Sequence, residues 1–290
     1  MDVWTYLNGK FVPDRDAVVS VHDRGLRYGD GVFDTIRVYE GQPFLLERHV
    51  DRLLQGAASL GLSRLPAPSA LMRVIEELIE RNGLREAIVR ATLTRGASEG
   101  WTPDDAARPT IIVIQRPFAG YPDDLYLRGA SLVVAETVYA PAASLTHSIK
   151  SLNYLTRVQA KREAMARGAD EAVLCTEAGL VVEGSVSNIF CVADGRVRTP
   201  AASLGLLPGI TRAIVMDLAR REGIPCEEAL LSSDDLREAD EILLTNTGME
   251  TLPVTAVNGV SIGEGRPGPI GTALRRWYRT YVSEQLSARR

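Results

Sequence analysis

Side chains that bind metals or form cross-links are scarce in this sequence of 290 residues, which has three cysteines and three histidines. No two cysteines form a CxxC pair, and the histidines lie too far apart in the sequence to make a local cluster of ligands. We therefore predict neither a disulfide framework nor a structural metal site.

Long apolar runs and blocks of basic residues are also missing. No run approaches the roughly 18 to 20 apolar residues of a membrane span, and the first residues lack the basic start and apolar stretch of a signal peptide. The net charge of -4 comes from 33 basic and 37 acidic residues spread along the chain, without a basic block for nucleic acid or anionic lipid. We predict a cytoplasmic protein that binds neither nucleic acid nor membranes and meets small anionic ligands through local sites.

The hydrophobic fraction of 45% is enough for a sizeable core in one large or two modest domains. An Asn8-Gly9 turn between short strands predicts an N-terminal hairpin, and apolar residues at helical spacing predict helices over 46–60 and 69–82. Glycine, proline and aspartate interrupt the segment 117–129, which predicts a linker. We therefore expect a mixed α/β (α+β) fold with an N-terminal domain over 1–118, a linker over 119–129 and a C-terminal domain over 130–290.

The remaining apolar segments predict strands and helices in alternation. In the N-terminal half, strands are expected near 32–39, 87–94 and 110–115. In the C-terminal half we expect strands near 130–137, 241–245 and 254–260, hairpins with arms 172–176 and 180–183 and with arms 188–192 and 196–199, and helices over 152–168, 211–222 and 271–286.

Lys150 lies between a predicted strand and the helix predicted to begin at Leu152. Imine chemistry needs a neutral amine, whereas a free lysine has a pKa of roughly 10.4. Desolvation and the positive end of a helix dipole both favour the neutral form. Most lysines are solvated surface residues, so the case for Lys150 depends on the two motifs that follow.

The first of these is Leu207-Pro208-Gly209-Ile210-Thr211-Arg212, which leads into a predicted helix. Unpaired amides at a helix N-terminus bind phosphate, Gly209 permits close approach of the backbone, and Thr211 adds a hydroxyl. A Pro-Gly pair before a helix is more often only a turn. The motif therefore indicates a phosphate site only in company with others.

The second is Glu183, which follows the apolar residues Leu180-Val181-Val182 and precedes a glycine. A carboxylate at the end of an apolar strand needs a partner if it is buried, and the protonated ring nitrogen of pyridoxal phosphate is such a partner. By itself, a glutamate at this position is more often a solvent-facing residue of a turn.

Taken in order, the segments 149–154, 183–190 and 207–212 resemble the motifs of class IV aminotransferases, the fold type IV pyridoxal-phosphate enzymes. The segments 28–33 and 49–53 extend the resemblance to nearly the whole chain. It implies a two-domain fold with the active site between the domains, pyridoxal 5′-phosphate as cofactor and transamination as the reaction. It also implies a homodimer in which a loop around Tyr28 or Trp101 completes the partner's site.

Matching positions imply a role for each residue of the motifs. Lys150 would be the Schiff-base lysine and would move the proton between substrate and cofactor. Glu183 would bind the ring nitrogen, Tyr154 the phenolic oxygen and Leu207 the ring face. The phosphate would be held by Arg52, Ile210, Thr211 and Thr247. Considered without the resemblance, Arg52 would be a helix-surface residue paired with Glu47 or Asp51.

Branched-chain aminotransferases, D-amino-acid aminotransferases and aminodeoxychorismate lyases share these residues and differ around the substrate. Tyr154, the 207–212 motif and the segment 263–269 resemble the branched-chain group, which implies an aliphatic amino acid as donor and an α-keto acid such as 2-oxoglutarate as acceptor. The expected substrate-binding residues are Tyr28, Phe33, Arg37, Arg90, Trp101, Gly248 and Met249. Phe33 and Met249 are equally typical of a hydrophobic core.

Other positions keep D-amino-acid or (R)-amine transamination and lyase activity open. Asp34 and Ile88 stand where the branched-chain pattern has glutamate and tyrosine, and the pair Thr245-Asn246 is similar to the lyases. Glu99 and Trp101 replace the arginine and histidine that are typical of the D-amino-acid group. A non-enzymatic pyridoxal-phosphate carrier or plain α/β binding protein is the alternative from a different class.

Overall fold

The computed structural model describes residues 3–103, 108–139 and 149–288, which form two compact units. The first unit takes the described residues up to Ala119 together with Ile149–Asn153. The second takes the described residues between Gly120 and Ser287 apart from that segment. Lys150 therefore packs with the first unit, although the sequence predicts it as part of a C-terminal domain over 130–290.

The first unit contains a six-stranded sheet in the order β2-β1-β6-β5-β3-β4, in which neighbouring strands are antiparallel. Its strands are β1 (Trp4–Leu7), β2 (Lys10–Pro13), β3 (Gly31–Tyr39), β4 (Gln42–Pro43), β5 (Ala87–Thr94) and β6 (Thr110–Pro117). Its helices are α1 (Arg24–Tyr28), α2 (Leu46–Ser59) and α3 (Pro68–Asn82), with a 3-10 turn at Asp14–Asp16.

The two faces of β3 have different partners, because side chains alternate along a strand. Val32, Ile36 and Val38 lie in one core cluster with residues of α2 spaced at helical intervals, such as Leu46 and Val50. The face of β3 that carries Asp34 is therefore the face that α2 covers. Phe33, Thr35 and Arg37 point to the opposite face.

Local signals in the N-terminal half predict its elements closely. The hairpin of β1 and β2 pairs antiparallel in register from Trp4↔Pro13 to Leu7↔Lys10, with Asn8 and Gly9 at φ 49° and 94° as its turn requires. Helix α3 ends at Gly83, whose φ of 63° is a left-handed cap. These predictions are confirmed.

The second unit contains a nine-stranded sheet in the order β12-β11-β10-β13-β14-β7-β8-β9, with β15 paired to β14. Its strands are β7 (Ala130–Val134), β8 (Glu171–Cys175), β9 (Val181–Gly184), β10 (Asn188–Ala193), β11 (Arg196–Pro200), β12 (Cys226–Ala229), β13 (Glu241–Asn246), β14 (Glu250–Val257) and β15 (Val260–Ser261). The described helices are α4 (Asp123–Arg128), α5 (Leu155–Ala166), α6 (Ile210–Arg221), α7 (Ser233–Arg237) and α8 (Pro269–Ser287), with a 3-10 turn at Ala202–Leu204.

Two segments differ from the sequence prediction for identifiable reasons. The segment predicted as a linker contains helix α4, which begins after Pro122 with two aspartates in its first turn and ends at Gly129. Acidic residues stabilise a helix N-terminus, and Leu125 and Tyr126 of α4 are buried in the core of the second unit. Proline and glycine here mark the ends of a helix.

Helix α5 begins at Leu155 and not at Leu152, so the predicted start is wrong by three residues. The cause is that residues 149–152 run along the free edge of β3. Ser151 forms a bridge with Val32, and the Leu152 amide donates to the Gly31 carbonyl at 2.9 Å.

Of the helices in the described part of the chain, none is both long and apolar enough to cross a membrane.

Candidate active site

The backbone of Lys150 is hydrogen-bonded to β3, and its side chain lies near the ring of Phe33 on that strand. The Phe33 amide donates to the Lys150 carbonyl at 2.9 Å. The Lys150 Nζ atom lies 4.8 Å from the centroid of the Phe33 ring, and the side chain is half-buried. The Lys150 amine thus lies beside an apolar ring, and the main chain of this residue is held by a hydrogen bond to β3.

Arg90 lies on the same ring. Thr35 is the register partner of Arg90 on β5, so Arg90 shares a face of the sheet with Phe33, and its Cζ atom is 3.5 Å from the ring centroid. The first unit therefore brings together three of the predicted residues, a lysine, an arginine and a phenylalanine. The Arg90 guanidinium and the Lys150 amine therefore both lie against one apolar ring.

Arg52 belongs to a buried cluster on the α2 side of β3. Its Nε and Nη2 atoms donate to the two carboxylate oxygens of Asp34 at 2.7 and 2.8 Å. Asp34 is fully buried and also accepts from His49 Nδ1 at 2.9 Å. Arg52 thus pairs with Asp34, a residue of β3, because a strand of the sheet faces this side of the helix.

The charged groups of this cluster shift the pKa values of Asp34 and His49. Burial alone would raise the pKa of Asp34, but the charge of Arg52 and hydrogen bonds from Arg52 and His49 outweigh it and hold the pKa well below its usual range. Burial lowers the pKa of His49, and Arg52 and Lys150 add to that effect while Asp34 opposes it. The cluster is therefore an ionised Asp34–Arg52 pair with a buried histidine beside it.

We predict that Asp34→Asn lowers the free energy of unfolding by about 3 kcal/mol at neutral pH, because it leaves a mostly buried guanidinium without its carboxylate. A depressed folded-state pKa stabilises the fold above the unfolded value of about 3.9, and the stabilisation is lost as pH falls through the folded value. The difference between wild type and variant should be constant from pH 7 to 5 and shrink below pH 4.

Urea unfolding at these pH values measures the difference. Asp51→Asn, which changes an exposed aspartate on the same helix, is the matched control and should leave stability unchanged. A loss for Asp34→Asn that stays the same down to pH 3 would contradict the ion-pair explanation.

In the second unit, Glu183 lies within β9 and is 2% exposed. Its Oε1 atom accepts from Arg157 Nη2 at 2.7 Å, from the Tyr139 hydroxyl at 2.8 Å and from the Leu207 amide at 3.3 Å. Burial alone would lower the pKa of Arg157, but the charge of Glu183 outweighs it and raises the value. Glu183 is therefore a buried charge, and its counterion is an arginine on α5.

Tyr154 joins the same group. It is the N-cap residue of α5, and its ring centroid is 5.2 Å from Arg157 Cζ. The structure thus brings together Tyr154, Glu183 and Leu207, the three residues predicted to contact a cofactor ring. Arg157 was not among the residues predicted for the site, although its position three residues after Tyr154 places both on one side of the helix.

The N-terminus of α6 has the features of an anion site. Gly209 is the N-cap residue and no side chain caps the helix. A Cβ atom at Gly209 would lie 2.1 Å from Asn188 Oδ1, and Asn188 Nδ2 donates to the Leu207 carbonyl at 2.9 Å. A side chain at Gly209 is therefore excluded, and the amides of the first turn, including those of Ile210 and Thr211, lead the helix.

The hydroxyl of Thr211 has a different role from the predicted one. The residue is buried, and its side chain hydrogen-bonds with Tyr278 of α8. This bond helps to hold α6 against α8 within the second unit. The amide of Thr211 belongs to the uncapped first turn of α6.

Thr247, Gly248 and Met249 lie in the turn between β13 and β14. Asn246 Oδ1 accepts from the amides of Gly248 and Met249, both at 2.8 Å. Met249 is 2% exposed in the main core of the second unit, and its carbonyl accepts from the Tyr126 hydroxyl at 3.0 Å. Met249 is thus buried in this core, and the amide of Gly248, another of the expected substrate-binding residues, is bonded to Asn246.

The remaining predicted substrate residues fall into two places in the first unit. Tyr28 and Trp101 form an edge-to-face pair at 5.3 Å, and Trp101 is 78% exposed. Arg37 is buried and donates to the Ala87 and Phe118 carbonyls and to Glu86. The Arg37 guanidinium therefore joins β3 to the end of β6, which is a structural role.

Comparison with known proteins decides the family. The sequence profile of the class IV amino-transferases matches residues 31–257. The chain belongs to the class IV aminotransferase family. Membership makes it a transaminase of a family that uses pyridoxal phosphate.

Relatives of this class IV aminotransferase carry two kinds of name. A protein of Methanocaldococcus jannaschii, assigned provisionally as a branched-chain-amino-acid aminotransferase, is 40% identical over 94% of each chain. The D-alanine aminotransferase of Listeria innocua is 34% identical over 94% of this chain and 93% of its own. The fold matches the T.th. branched-chain amino acid aminotransferase with pyridoxamine 5′-phosphate, with a TM-score of 0.93, 34% identity and 98% and 95% of the two chains covered.

The residues of this aminotransferase fit the cofactor of its family. Among the described residues, the buried Glu183 Oε2 atom has one donor, the Leu207 amide at 3.4 Å, and so retains capacity for a ring N–H. The buried hydroxyls of Ser187 and Thr245 have no partner within the described part of the chain. The uncapped first turn of α6 offers amides to a phosphate. A ring nitrogen and a phosphate would satisfy these groups.

Proposed function

We propose that this enzyme moves an amino group reversibly between a branched-chain or other aliphatic amino acid and an α-keto acid such as 2-oxoglutarate, with pyridoxal 5′-phosphate as cofactor. The observation that carries the proposal is the apolar ring of Phe33 beside the Lys150 amine, with Arg90 on the same ring. Apolar walls reward aliphatic side chains by about 0.8 kcal/mol per buried methylene, and a guanidinium binds a carboxylate.

Each residue would have a separate task. When bound, the cofactor supplies an electron sink that makes the substrate α-proton acidic. Lys150 would attach the cofactor covalently and carry that proton as general base and acid. Glu183 would accept a hydrogen bond from the ring nitrogen, Tyr154 would donate to the phenolic oxygen, and Leu207 would pack on the ring face. Arg52, the amides of Ile210 and Thr211, and Thr247 would hold the phosphate.

The second candidate is transfer from D-amino acids, which the similarity to the Listeria innocua D-alanine aminotransferase favours. The two candidates share every cofactor residue and differ in how the donor carboxylate is held. Arg90 would serve either, because a guanidinium beside the lysine can bind the carboxylate of either enantiomer.

The test is a half-reaction panel without acceptor, in which each donor converts the cofactor from its aldehyde to its amine form. We expect conversion by L-leucine, L-isoleucine or L-valine and reversal by 2-oxoglutarate. Conversion by D-alanine alone would replace the proposal with the second candidate. Release of pyruvate from aminodeoxychorismate, with no amino acid active, would make the enzyme a lyase.

We predict that Arg52→Ala weakens binding of pyridoxal phosphate by about tenfold or more, because it removes a charge-assisted contact to the phosphate. Titration of the apoprotein with cofactor measures the affinity. Arg48→Ala, an exposed arginine on the same helix, is the matched control and should bind normally. Wild-type affinity in a folded Arg52→Ala protein would limit Arg52 to its pairing with Asp34.

We also propose that the enzyme is a homodimer. Large apolar side chains are exposed near α1 in the first unit, including Val18, Val21, Leu26 and Trp101, and exposed apolar patches of this kind are typical of protein interfaces. Sedimentation should give a dimer, and Trp101→Asp should shift it toward monomer with loss of activity. A fully active monomer at assay concentration would reject the proposal.

A cytoplasmic location stays a prediction of the sequence.

A further inference from the structure

Arg157, the buried arginine on α5, is the counterion of Glu183 but has no role in the proposed binding of cofactor or substrate. Arg157 is 9% exposed and its guanidinium contacts four groups of the second unit. Nη2 donates to Glu183 Oε1 at 2.7 Å and lies 3.4 Å from the Tyr139 hydroxyl. Nη1 donates to the Gly184 carbonyl at 3.4 Å, and the Tyr154 ring lies 5.2 Å from Cζ. Arg157 therefore contacts both the carboxylate and the strand that carries it.

The two carboxylate oxygens of Glu183 accept different numbers of hydrogen bonds. Oε1 accepts from three donors, Arg157, Tyr139 and the Leu207 amide. Oε2 has, within the described ranges, only the long 3.4 Å contact to that same amide. A carboxylate oxygen accepts about two good hydrogen bonds. Oε1 is thus saturated, and rotation of the carboxylate would exchange strong bonds for weak ones.

We propose that Arg157 is a positioning residue that locks Glu183 Oε1 and so presents Oε2 to the ring nitrogen of the cofactor. This inference rests on the proposed cofactor role of Glu183. Arg157 would touch neither ring nor substrate and would act through the orientation of one carboxylate. A planar guanidinium with fixed N–H directions suits this task better than a lysine ammonium does.

The competing explanation is that Arg157 only neutralises a buried charge and stabilises the fold. In that case its loss would weaken every cofactor form equally, because a loosened fold does not distinguish atoms of the ring. In the positioning explanation, its loss weakens only binding that uses the ring nitrogen. A pair of cofactors that differ at that atom separates the two explanations.

The experiment titrates apoprotein with pyridoxal 5′-phosphate and with its 1-deaza analogue, in which a carbon replaces the ring nitrogen. Wild type should prefer the natural cofactor by about tenfold or more, the size expected for a hydrogen bond to a charged group. Arg157→Met should lose most of that preference, and Arg157→Lys should retain part of it. Arg162→Met, an exposed arginine on the same helix, should keep the wild-type ratio.

The outcomes separate this inference from the proposed function. Equal weakening of both cofactors by Arg157→Met, with the ratio unchanged, would overturn the positioning role alone. A wild-type ratio in Glu183→Ala, which removes both carboxylate oxygens, would overturn the cofactor role of Glu183 and the inference with it. Should Arg157→Met not fold, Tyr139→Phe decides, because it removes another donor to Oε1. We expect Tyr139→Phe to lower the ratio by about threefold, and an unchanged ratio would count against the inference.

Discussion

Lys150→Ala is expected to abolish transamination, with a loss of at least about 10⁴-fold in the rate of the half-reaction. The variant loses covalent attachment of the cofactor and also the group that carries the α-proton, and general acid-base catalysis by itself contributes about 10² to 10⁴-fold. After dialysis that removes free cofactor, the purified variant should be colourless, whereas wild type should stay yellow. Stopped-flow measurement of the half-reaction with L-leucine gives the rate.

Because lysines are scarce in this chain, the residue that attaches the cofactor can be identified with few alternatives. The chain has three lysines, Lys10, Lys150 and Lys161, so few other amines could take over the attachment. Lys10→Ala, an exposed residue of β2, is the control and should keep both colour and rate. Borohydride reduction followed by peptide mass spectrometry should place the pyridoxyl group on Lys150. A label on Lys161 in the wild-type enzyme would reject the assignment.

Local chemistry made much of the fold and site predictable. The Asn8-Gly9 turn, the glycine that ends α3 and the uncapped start of α6 each depend on a few neighbouring residues. Glu183 was identified as a candidate by a general rule, that a carboxylate at the end of an apolar strand needs a partner if it is buried. In each case the signal lies within about six residues of the feature that it predicts.

Pairings between distant residues could not be predicted in this way. Asp34 and Arg52 are 18 residues apart and meet because α2 packs on one face of β3. Arg157 and Glu183 are 26 residues apart and meet because α5 packs against β8, the strand next to β9. No sequence pattern states which face of a strand a following helix will cover. The counterions of both buried carboxylates were therefore missed, although Asp34 was noted as a departure from the branched-chain pattern.

The place of Met249 could not be decided from the sequence for a related reason. Met249 was listed as a substrate-binding residue and as equally typical of a hydrophobic core. The amide oxygen of Asn246 closes the turn between β13 and β14 by accepting from Gly248 and Met249, which directs the Met249 side chain into the core. An apolar residue beside a site can face inward or outward, and only the hydrogen bonds of its turn decide which.

The contacts of Glu183 change what its substitution should do. In Glu183→Gln, the three donors at Oε1 would hold the carbonyl oxygen of the new amide there, because an NH₂ group cannot accept from them. The amide NH₂ then takes the position of Oε2 and offers a donor to the ring nitrogen. This stabilises the unprotonated ring, so we expect α-proton removal to slow by about 10² fold, the upper part of the range for a hydrogen bond to a charged group.

Stability should fall at the same time, because Arg157 is left buried without a carboxylate at a cost of about 3 to 5 kcal/mol. The double variant Glu183→Gln/Arg157→Met removes that stranded charge and should regain much of the stability, while its half-reaction stays slow. Urea unfolding gives the first quantity, and the rate with α-deuterated L-leucine gives the second, with a larger isotope effect expected in both variants. Recovery of the rate together with the stability would mean that Glu183 acts through the fold and not through the ring nitrogen.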